Sequence, residues 1–396
     1  MNIKVIIHIT AQENGFYFNM KKDKIQYGND RLIPKRYREI IENTLKYYND
    51  GDVEYDWFRK NRNLYINYYD RDKVIFPEQD DWGRTEIRDF FHLMSFIQPD
   101  LIPLGELPIN GSTTWWRSDN IDNAKNHPYY TADSFKYYGN DLGWRGDNML
   151  DFTEDTINIG FFGCSMTFAS GVSIEDSWPK LFCDRLSKKL GKEVKCWIIA
   201  NPGHGNSHWV RVFNKYSKFL RFDFAIFNWT DLYRKHVFTK ELAELHYMSN
   251  FFHMKEEQGK WKYKKDKPKL NFVKSMLNLE TKANAILEFM DLYNSVINLC
   301  KSNDILYSSY SYNAAFGEGK RGFSWWGELL DIRRDEKFED LQQFTSSTEE
   351  RRLEKIGDIA RDMGHPGPKT NKLQANSLYE QLNDRGIIDE IQRRTN

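Results

Sequence analysis

The sequence predicts an α/β protein in which helices cover both faces of a parallel sheet. From residue 155 onward, short apolar runs of strand length alternate with polar loops and amphipathic helical segments. The chain has 396 residues, 40% hydrophobic and 29% charged, which suits a large buried core and is not typical of a disordered chain. We therefore expect one three-layer α/β/α domain, preceded by an accessory region of the α+β type.

Four apolar runs are predicted to form the parallel strands: residues 156–163, 194–200, 222–227 and 305–312. A helix between the first two begins at Ser177, whose hydroxyl can cap it, and ends at Gly191, which suits the left-handed conformation of a helix end. A second helix is expected from residue 206 or 207. A third spans 278–298, and its candidate buried residues are Ala285, Leu287, Met290, Leu292 and Val296.

Composition divides the chain into three parts. Residues 1–110 are predicted to be the accessory region, with strands at 3–10 and 63–69 and helices at 37–48 and 85–96. Turn-forming residues are frequent next, so residues 111–150 are predicted to be an irregular linker. Its Trp115–Trp116 pair is either a hydrophobic plug or a surface on which a sugar ring stacks. Residues 151–396 form the α/β domain, which a polar insertion interrupts near 240–275.

Charge and cysteine content limit the partners. Lys and Arg together number 57, as do Asp and Glu, so no net charge attracts nucleic acid or an anionic membrane, and we expect neither as a partner. No apolar stretch reaches the roughly 18 residues of a membrane-spanning helix, and we expect no signal peptide. Four scattered cysteines indicate a reducing compartment, so a cytoplasmic location is predicted, with a phage-borne or otherwise exported protein as the alternative.

A serine follows directly on the first predicted strand of the domain. Residues 163–167 read Gly-Cys-Ser-Met-Thr, which places Ser165 at the carboxyl end of a sheet strand, the edge at which ligands bind in open α/β sheets. Thr167 departs from the Gly-x-Ser-x-Gly pattern of α/β-hydrolases. Because a serine in this position is often structural, the motif alone does not identify a nucleophile.

A second motif stands near the carboxyl terminus. Residues 362–368 read Asp-Met-Gly-His-Pro-Gly-Pro, so Asp362 precedes His365 by three positions on a turn. A carboxylate in that position can hold one ring nitrogen of the imidazole and leave the other free to act as a general base. An ordinary surface turn is the alternative, but Ser165 and this pair together predict a Ser-His-Asp arrangement.

The chain resembles the SGNH, or GDSL-type, hydrolase family in four separated blocks between residues 136 and 385. These are residues 163–167 with the lead-in 140–146, residues 201–206, residues 228–231 and residues 362–368. The resemblance implies a flavodoxin-like fold, Ser165 as nucleophile, His365 as base and Asp362 as the residue that orients it. It implies no metal and no other cofactor.

The resemblance also implies an oxyanion hole. The backbone N–H groups of Ser165 and Gly203 are two of its donors, with Gly205 as the alternative to Gly203. The family's third donor is an Asn, and this chain has Thr230 there, so either Thr230 or Asn228, two residues earlier on the same face of the strand, fills the role. A further departure is Cys164, which stands where the family has Asp.

Two further residues are candidates for substrate binding. His204 lies beside the predicted oxyanion glycine, and Arg234 follows the block at 228–231. His204 and His208 are spaced to share a helix face, which leaves a metal site as an alternative, although we predict none. A surface ion pair is the alternative for Arg234.

The sequence therefore predicts a serine esterase that hydrolyses an acyl ester through an acyl-enzyme. An acetyl ester on a carbohydrate is the leading substrate, and a small-molecule ester is also compatible. One alternative is an O-acyltransferase that uses the same triad. The other is a non-catalytic glycan-binding or structural protein that retains the fold.

Overall fold

The computed structural model describes residues 33–49, 95–96, 101–116, 119–230, 234–238, 244–248, 282–311, 341–343 and 357–396. The predicted strands at 3–10 and 63–69, nearly all of the predicted helix at 85–96 and most of the insertion at 240–275 lie outside these residues.

The described residues contain ten strands. In chain order, β1 to β10 are Ser112–Thr113, Tyr137–Tyr138, Arg145–Gly146, Ile157–Gly163, Val194–Ala200, Phe224–Trp229, Arg234–Phe238, Glu244–Met248, Leu306–Ser311 and Leu341–Gln343. The four predicted parallel strands are thus observed at β4, β5, β6 and β9, with shifts of at most two residues at their ends. The pairs β1–β2 and β7–β8 are small antiparallel sheets.

The main sheet has the spatial order β10-β9-β6-β4-β5-β3. Neighbouring strands in it are parallel, except that β3 is antiparallel to β5 at the edge. When the parallel strands are counted along the chain, their order is 2-1-3-4-5, which is the order of flavodoxin-like domains. The predicted fold class is confirmed by this topology.

Eight helices are described. In chain order, α1 to α8 are Lys35–Asn49, Ile121–Asn126, Ser165–Phe168, Trp178–Leu190, Asn206–Tyr216, Lys282–Ser302, Pro368–Asp384 and Ile387–Thr395. Both ends of α4 match the prediction, and Gly191 takes the expected left-handed conformation with φ 66°. Ser177 precedes α4 but does not cap it through its hydroxyl, which donates instead to the carbonyl of Ile174 at 2.6 Å.

Helices cover both faces of the sheet because the strands are apolar on both sides. On one face Phe161 is in register with Ile198 and Ile226, and α4, α7 and α8 pack over this row. On the other face Phe162 is in register with Phe227, and α1, α5 and α6 cover it. Each such side chain contributes about 1.5–3 kcal/mol when fully buried, so these two rows hold the layers together.

The buried face of helix α6 differs in part from the predicted one. Ala285 and Val296 are buried as predicted, and Met290 and Leu292 are partly buried. Leu287 is 58% exposed, because the stripe that faces the sheet instead runs through Phe289, Tyr293 and Cys300.

Parts of the two predicted N-terminal segments pack into the domain. Ile40, Ile41 and Leu45 of α1, from the predicted accessory region, belong to the same core cluster as the sheet face beneath α5. In the predicted linker, Tyr137 is fully buried on the opposite face, and β3 adds an edge strand to the sheet. The described part of residues 111–150 is therefore built into the domain and also reaches the site.

Three general features of the described residues bear on function. None of their helices combines the length and the apolar character that crossing a membrane requires. Within the same residues, no three His, Cys, Asp or Glu side chains are grouped so that they could hold a metal ion. Cys164, Cys183, Cys196 and Cys300 are all buried free thiols.

Candidate active site

The candidate residues lie at the carboxyl edge of the main sheet, near the point between β4 and β6 where successive strands switch from one side of β4 to the other. From β4 the chain crosses to β5 on one side, and from β5 it returns to β6 on the other side. In open α/β sheets such a reversal leaves a crevice at the carboxyl ends of the strands, which is where ligands bind. Ser165 follows β4, Gly203 follows β5 and Thr230 follows β6.

Ser165 begins the short helix α3. Cys164 occupies the position before it in extended conformation, and its carbonyl accepts hydrogen bonds from the amides of Thr167 (3.0 Å) and Phe168 (2.9 Å). Ser165 is 8% exposed, and its hydroxyl makes no hydrogen bond to any described residue. A hydroxyl in this state is available to a base or to a ligand.

Asp362 and His365 are in direct contact. Nδ1 of His365 lies 2.5 Å from Oδ2 of Asp362. The other carboxylate oxygen accepts hydrogen bonds from the amides of Gly364 and His365, both at 3.0 Å, so the aspartate also closes the turn that carries the imidazole. The Asp362 side chain is fully buried and that of His365 is 18% exposed. The carboxylate thus fixes Nδ1 inward, and Nε2 makes no hydrogen bond to any described residue.

Gly171 joins the loop after Ser165 to the loop that carries Asp362. Its carbonyl accepts a hydrogen bond from the amide of Arg361 at 2.8 Å. Its φ is +75°, and a Cβ placed on it would lie 2.8 Å from the amide nitrogen of Asp362 and 2.9 Å from Cβ of Ala360. Only glycine allows this approach, so the loop that follows the Ser165 helix and the turn that ends with His365 are held together by backbone contact.

Gly203 lies in the turn between β5 and α5. Its φ is +86°, it is exposed, and a Cβ placed on it would meet nothing within 4 Å. Gly205, the alternative donor, is packed differently, because a side chain there would collide with the carbonyl of Arg234. The space beside Gly203 is therefore open, whereas the space beside Gly205 is filled by the backbone of Arg234.

Thr230 and Asn228 differ in what their side chains contact. The amide nitrogen of Asn228 donates to the hydroxyl of Thr167 on α3 at 3.1 Å, and the residue is buried. The Thr230 hydroxyl makes no hydrogen bond to any described residue, whereas its backbone N–H and C=O are both held by the side chain of Asn206 at 2.9 and 3.1 Å. Thr230 is thus fixed in place with its hydroxyl unused.

The two residues predicted to bind substrate are fully or partly buried. His204 is fully buried: Nδ1 lies 3.2 Å from the carbonyl of Pro202, Nε2 lies 3.2 Å from the Glu106 carboxylate, and the ring stacks edge-on with His208. This placement indicates a structural role for the imidazole. Arg234 is partly buried at the start of β7, with its carbonyl against Gly205.

A buried arginine supports the nucleophile loop. Arg145, in the predicted lead-in, is 1% exposed, and its guanidinium donates to the carbonyls of Phe168 (2.5 Å), Ala169 (2.8 Å) and Val172 (2.6 Å). Burial lowers its pKa to about 10, so the group stays charged at neutral pH. Arg145 therefore fixes the backbone of residues 168–172, at the end of the helix that begins with Ser165 and just after it.

A second buried arginine supports the other loop. Arg361 immediately precedes Asp362, and its guanidinium binds both carboxylate oxygens of Asp119 at 2.6–3.0 Å. The remaining donors bind the carbonyls of Thr114, Ala132 and Phe135. The carbonyl of Asp362 itself accepts a hydrogen bond from Asn123 at 3.0 Å. All of these acceptors and donors outside the loop belong to the predicted linker.

These supporting residues were not identified from the sequence. The lead-in at 140–146 contains Arg145, whereas no motif includes Arg361, and nothing in the local sequence indicates the partners of either arginine. The Trp115–Trp116 pair lies beside this second arginine. Trp116 is buried, and the guanidinium of Arg361 lies 4.7 Å from the centroid of the Trp115 ring. A role of Trp116 in stacking on a sugar ring is thereby excluded by its burial.

The chain matches no protein-family model and no curated protein. Solved structures are similar to it over part of its length. A lipase from a goat rumen metagenome aligns at 14% identity and a TM-score of 0.36, covering 57% of this chain and 96% of the lipase. A putative lipolytic protein of the G-D-S-L family from Desulfitobacterium hafniense aligns at 12% identity and a TM-score of 0.32, covering 56% and 98%.

An esterase from Pseudoalteromonas, in a structure inhibited by monoethylphosphonate, aligns at 10% identity and a TM-score of 0.33, covering 57% of this chain and 97% of the esterase. Each of these three structures aligns with little more than half of this chain.

Proposed function

We propose that this chain is a serine esterase of the SGNH type, with Ser165 as nucleophile, His365 as general base and Asp362 as the group that orients the imidazole. The observation that carries the proposal is the backbone contact at Gly171. It joins the loop that follows the Ser165 helix to the turn on which a buried carboxylate holds Nδ1 of His365. This combination is what nucleophilic catalysis by serine requires.

The reaction follows from the chemistry of these groups. Nε2 of His365 accepts the hydroxyl proton of Ser165 while Oγ forms a bond to the acyl carbon. The negative charge that develops on the carbonyl oxygen is stabilised by the N–H groups of Ser165 and Gly203 and by the Thr230 hydroxyl. His365 then gives its proton to the departing alcohol. Water, deprotonated by His365, then attacks the acyl carbon, the bond from this carbon to Oγ breaks, and His365 returns the proton to Ser165 as the acid leaves.

The proposed substrate is an acetyl ester of a carbohydrate hydroxyl, in line with the family resemblance. An acyl acceptor other than water would make the chain an O-acyltransferase that uses the same residues. The two activities are distinguished by incubating the protein with an acetylated sugar and measuring free acetate with and without added acceptor sugar. Acetate release without acceptor supports the esterase; acetyl transfer that occurs only with acceptor supports the transferase.

The decisive test is labelling with a fluorophosphonate, which reacts with activated serines whatever their natural substrate. The wild type is compared with Ser165→Ala and with Ser170→Ala, followed by mass mapping of the adduct. Ser170 is a matched control because it lies in the same loop and its buried hydroxyl has no hydrogen-bond partner among the described residues.

We expect an adduct at Ser165 in the wild type and in Ser170→Ala, and none in Ser165→Ala. Equal labelling of the Ser165→Ala protein would overturn the proposal. A folded wild type that does not label would also overturn it, and would favour a glycan-binding protein that retains the fold.

A further inference from the structure

Tyr137 connects the two halves of the proposed catalytic site. It lies in β2, within the segment that the sequence suggested was a linker, and it is fully buried. It contacts the loop that follows Ser165 on one side and the support of Asp362 on the other.

The contact with the nucleophile loop involves both the ring and the hydroxyl. The phenol oxygen accepts a hydrogen bond from the amide of Gly171 at 2.8 Å. The ring stacks on that of Phe168, with centroids 5.6 Å apart and an interplanar angle of 28°. Phe168 is the last residue of the helix that begins with Ser165, so the position of this helix depends on the Tyr137 ring.

The contact with the other loop passes through Asp119. The Tyr137 hydroxyl donates to Oδ2 of Asp119 at 2.6 Å, and the same oxygen accepts from Nη2 of Arg361 at 2.6 Å. Arg361 is covalently joined to Asp362. One phenol group therefore takes part in a continuous chain of hydrogen bonds from Gly171 to the residue before the proposed triad aspartate.

The charges around the ring favour this arrangement. The guanidinium of Arg145 lies 5.1 Å and that of Arg361 5.9 Å from the centroid of the Tyr137 ring, distances at which cations are attracted to an aromatic face. Burial raises the pKa of the Tyr137 hydroxyl well above its usual value, so the group remains a hydrogen-bond donor to Asp119.

We propose that Tyr137 is a positioning residue that sets the distance between Ser165 and the Asp362–His365 pair by hydrogen-bonding to the nucleophile loop directly and to Arg361 through Asp119. The proposal rests on the function proposed above. Displacing a reacting group by about 1 Å costs roughly 100-fold in rate, so loosening this connection affects turnover more than substrate binding.

The test is Tyr137→Phe, which keeps the ring and removes the hydroxyl. The matched control is Tyr216→Phe. Tyr216 is equally buried, accepts a hydrogen bond from the Trp144 indole at 2.6 Å and donates to the Pro103 carbonyl at 2.5 Å, but it lies on the opposite face of the sheet. Both variants lose a phenol with two hydrogen bonds, so a general loss of stability affects them alike.

Two measurements are made on both variants and the wild type. The first is the rate of fluorophosphonate labelling at Ser165, with kcat and KM on an acetyl ester. We expect Tyr137→Phe to lower the labelling rate and kcat by about 10- to 100-fold with little change in KM, and Tyr216→Phe to leave both near wild type. Equal effects of the two variants, or a rise in KM with no change in kcat, would overturn the positioning role.

The second measurement is amide hydrogen exchange of the segments 165–172 and 359–365. Tyr137→Phe is expected to accelerate exchange in both segments, and Tyr216→Phe in neither. If the wild type does not label, the proposed function fails, and the exchange result still decides whether Tyr137 holds the two loops together. Unchanged exchange in Tyr137→Phe would overturn the inference even if the esterase activity is found.

Discussion

The carboxylate of Asp119 and the guanidinium of Arg361, 242 residues apart in the chain, form an ion pair in which neither side chain is exposed. All the N–H groups of the guanidinium point at described acceptors: this carboxylate and three backbone carbonyls. A buried charge with so many partners is tolerated only because the geometry satisfies it. The pair links the segment before the sheet to the turn that carries His365.

Removing one partner of this ion pair is expected to destabilise the protein strongly. In Arg361→Gln the Asp119 carboxylate stays buried without its cation, which typically costs about 3–5 kcal/mol. Unfolding in urea measures the loss. The control is Asp184→Asn, which breaks a partly exposed ion pair with Lys180 and should cost less than about 1 kcal/mol. Similar losses in the two variants would contradict a special role of the buried pair.

Asp362→Asn separates the two functions of this carboxyl group. The variant keeps one oxygen that can accept from the amides of Gly364 and His365, but it replaces the oxygen that contacts Nδ1 by an NH₂ group. We expect a loss in kcat of about 10⁴-fold with a thermal melt close to wild type, because the imidazole then takes the wrong tautomer. A variant that retains most of its kcat would rule out Asp362 as the orienting group.

Thr230→Val tests the third oxyanion donor. Valine has nearly the shape of threonine, and Asn206 holds the backbone of this residue, so the substitution removes only the hydroxyl. We expect kcat to fall by about 10²–10³-fold, the usual cost of losing one such donor. The comparison variant is Asn228→Ala. The side-chain amide of Asn228 already donates to Thr167, so we expect this variant to lower the free energy of unfolding and to lower kcat less than Thr230→Val does. The reverse result would assign the role to Asn228.

Gly171→Ala is expected to lower kcat more than Gly191→Ala does, although both substitutions strain the backbone to a similar degree. At Gly171 and at Gly191 φ is positive, which costs an alanine about 1–2 kcal/mol. A Cβ at Gly191 meets nothing within 4 Å, whereas one at Gly171 lies 2.8 Å from the amide of Asp362 and must push the turn away. Comparing kcat of the two alanine variants measures this displacement, and equal kcat values would contradict it.

Asp141 is expected to make stability depend on pH. Burial raises the pKa of its carboxyl from 3.8 to about 7, although the amides of Met149 and Leu150 donate to it at 2.8 Å. From about pH 4 to about pH 7 the folded chain retains a proton that the unfolded chain releases, so raising the pH favours unfolding.

This contribution is complete below about pH 4 and is lost by about pH 7. It is isolated by measuring the free energy of unfolding of the wild type minus that of Asp141→Asn across this range. We expect the difference to fall as the pH rises. A difference that does not change with pH would contradict the raised pKa.

The local signals in the sequence were sufficient to predict four parallel strands and the turn that carries Asp362 and His365. The apolar runs predicted β4, β5, β6 and β9 to within two residues, because strands that are buried on both faces are rich in apolar residues. Asp362 contacts His365 through a turn of four residues, so the chain itself brings them together.

Only the tertiary structure decided how distant segments meet. The strand order, the exposure of Leu287, the burial of His204 and the incorporation of residues 111–150 depend on which apolar faces pack together. The links Asp119–Arg361 and Tyr137–Gly171 follow from that packing. In the unfolded chain, water satisfies the hydrogen bonds of a charged group or a phenol equally well. Such a group needs a specific partner only after the folded chain has excluded water from it, so the local sequence does not indicate that partner.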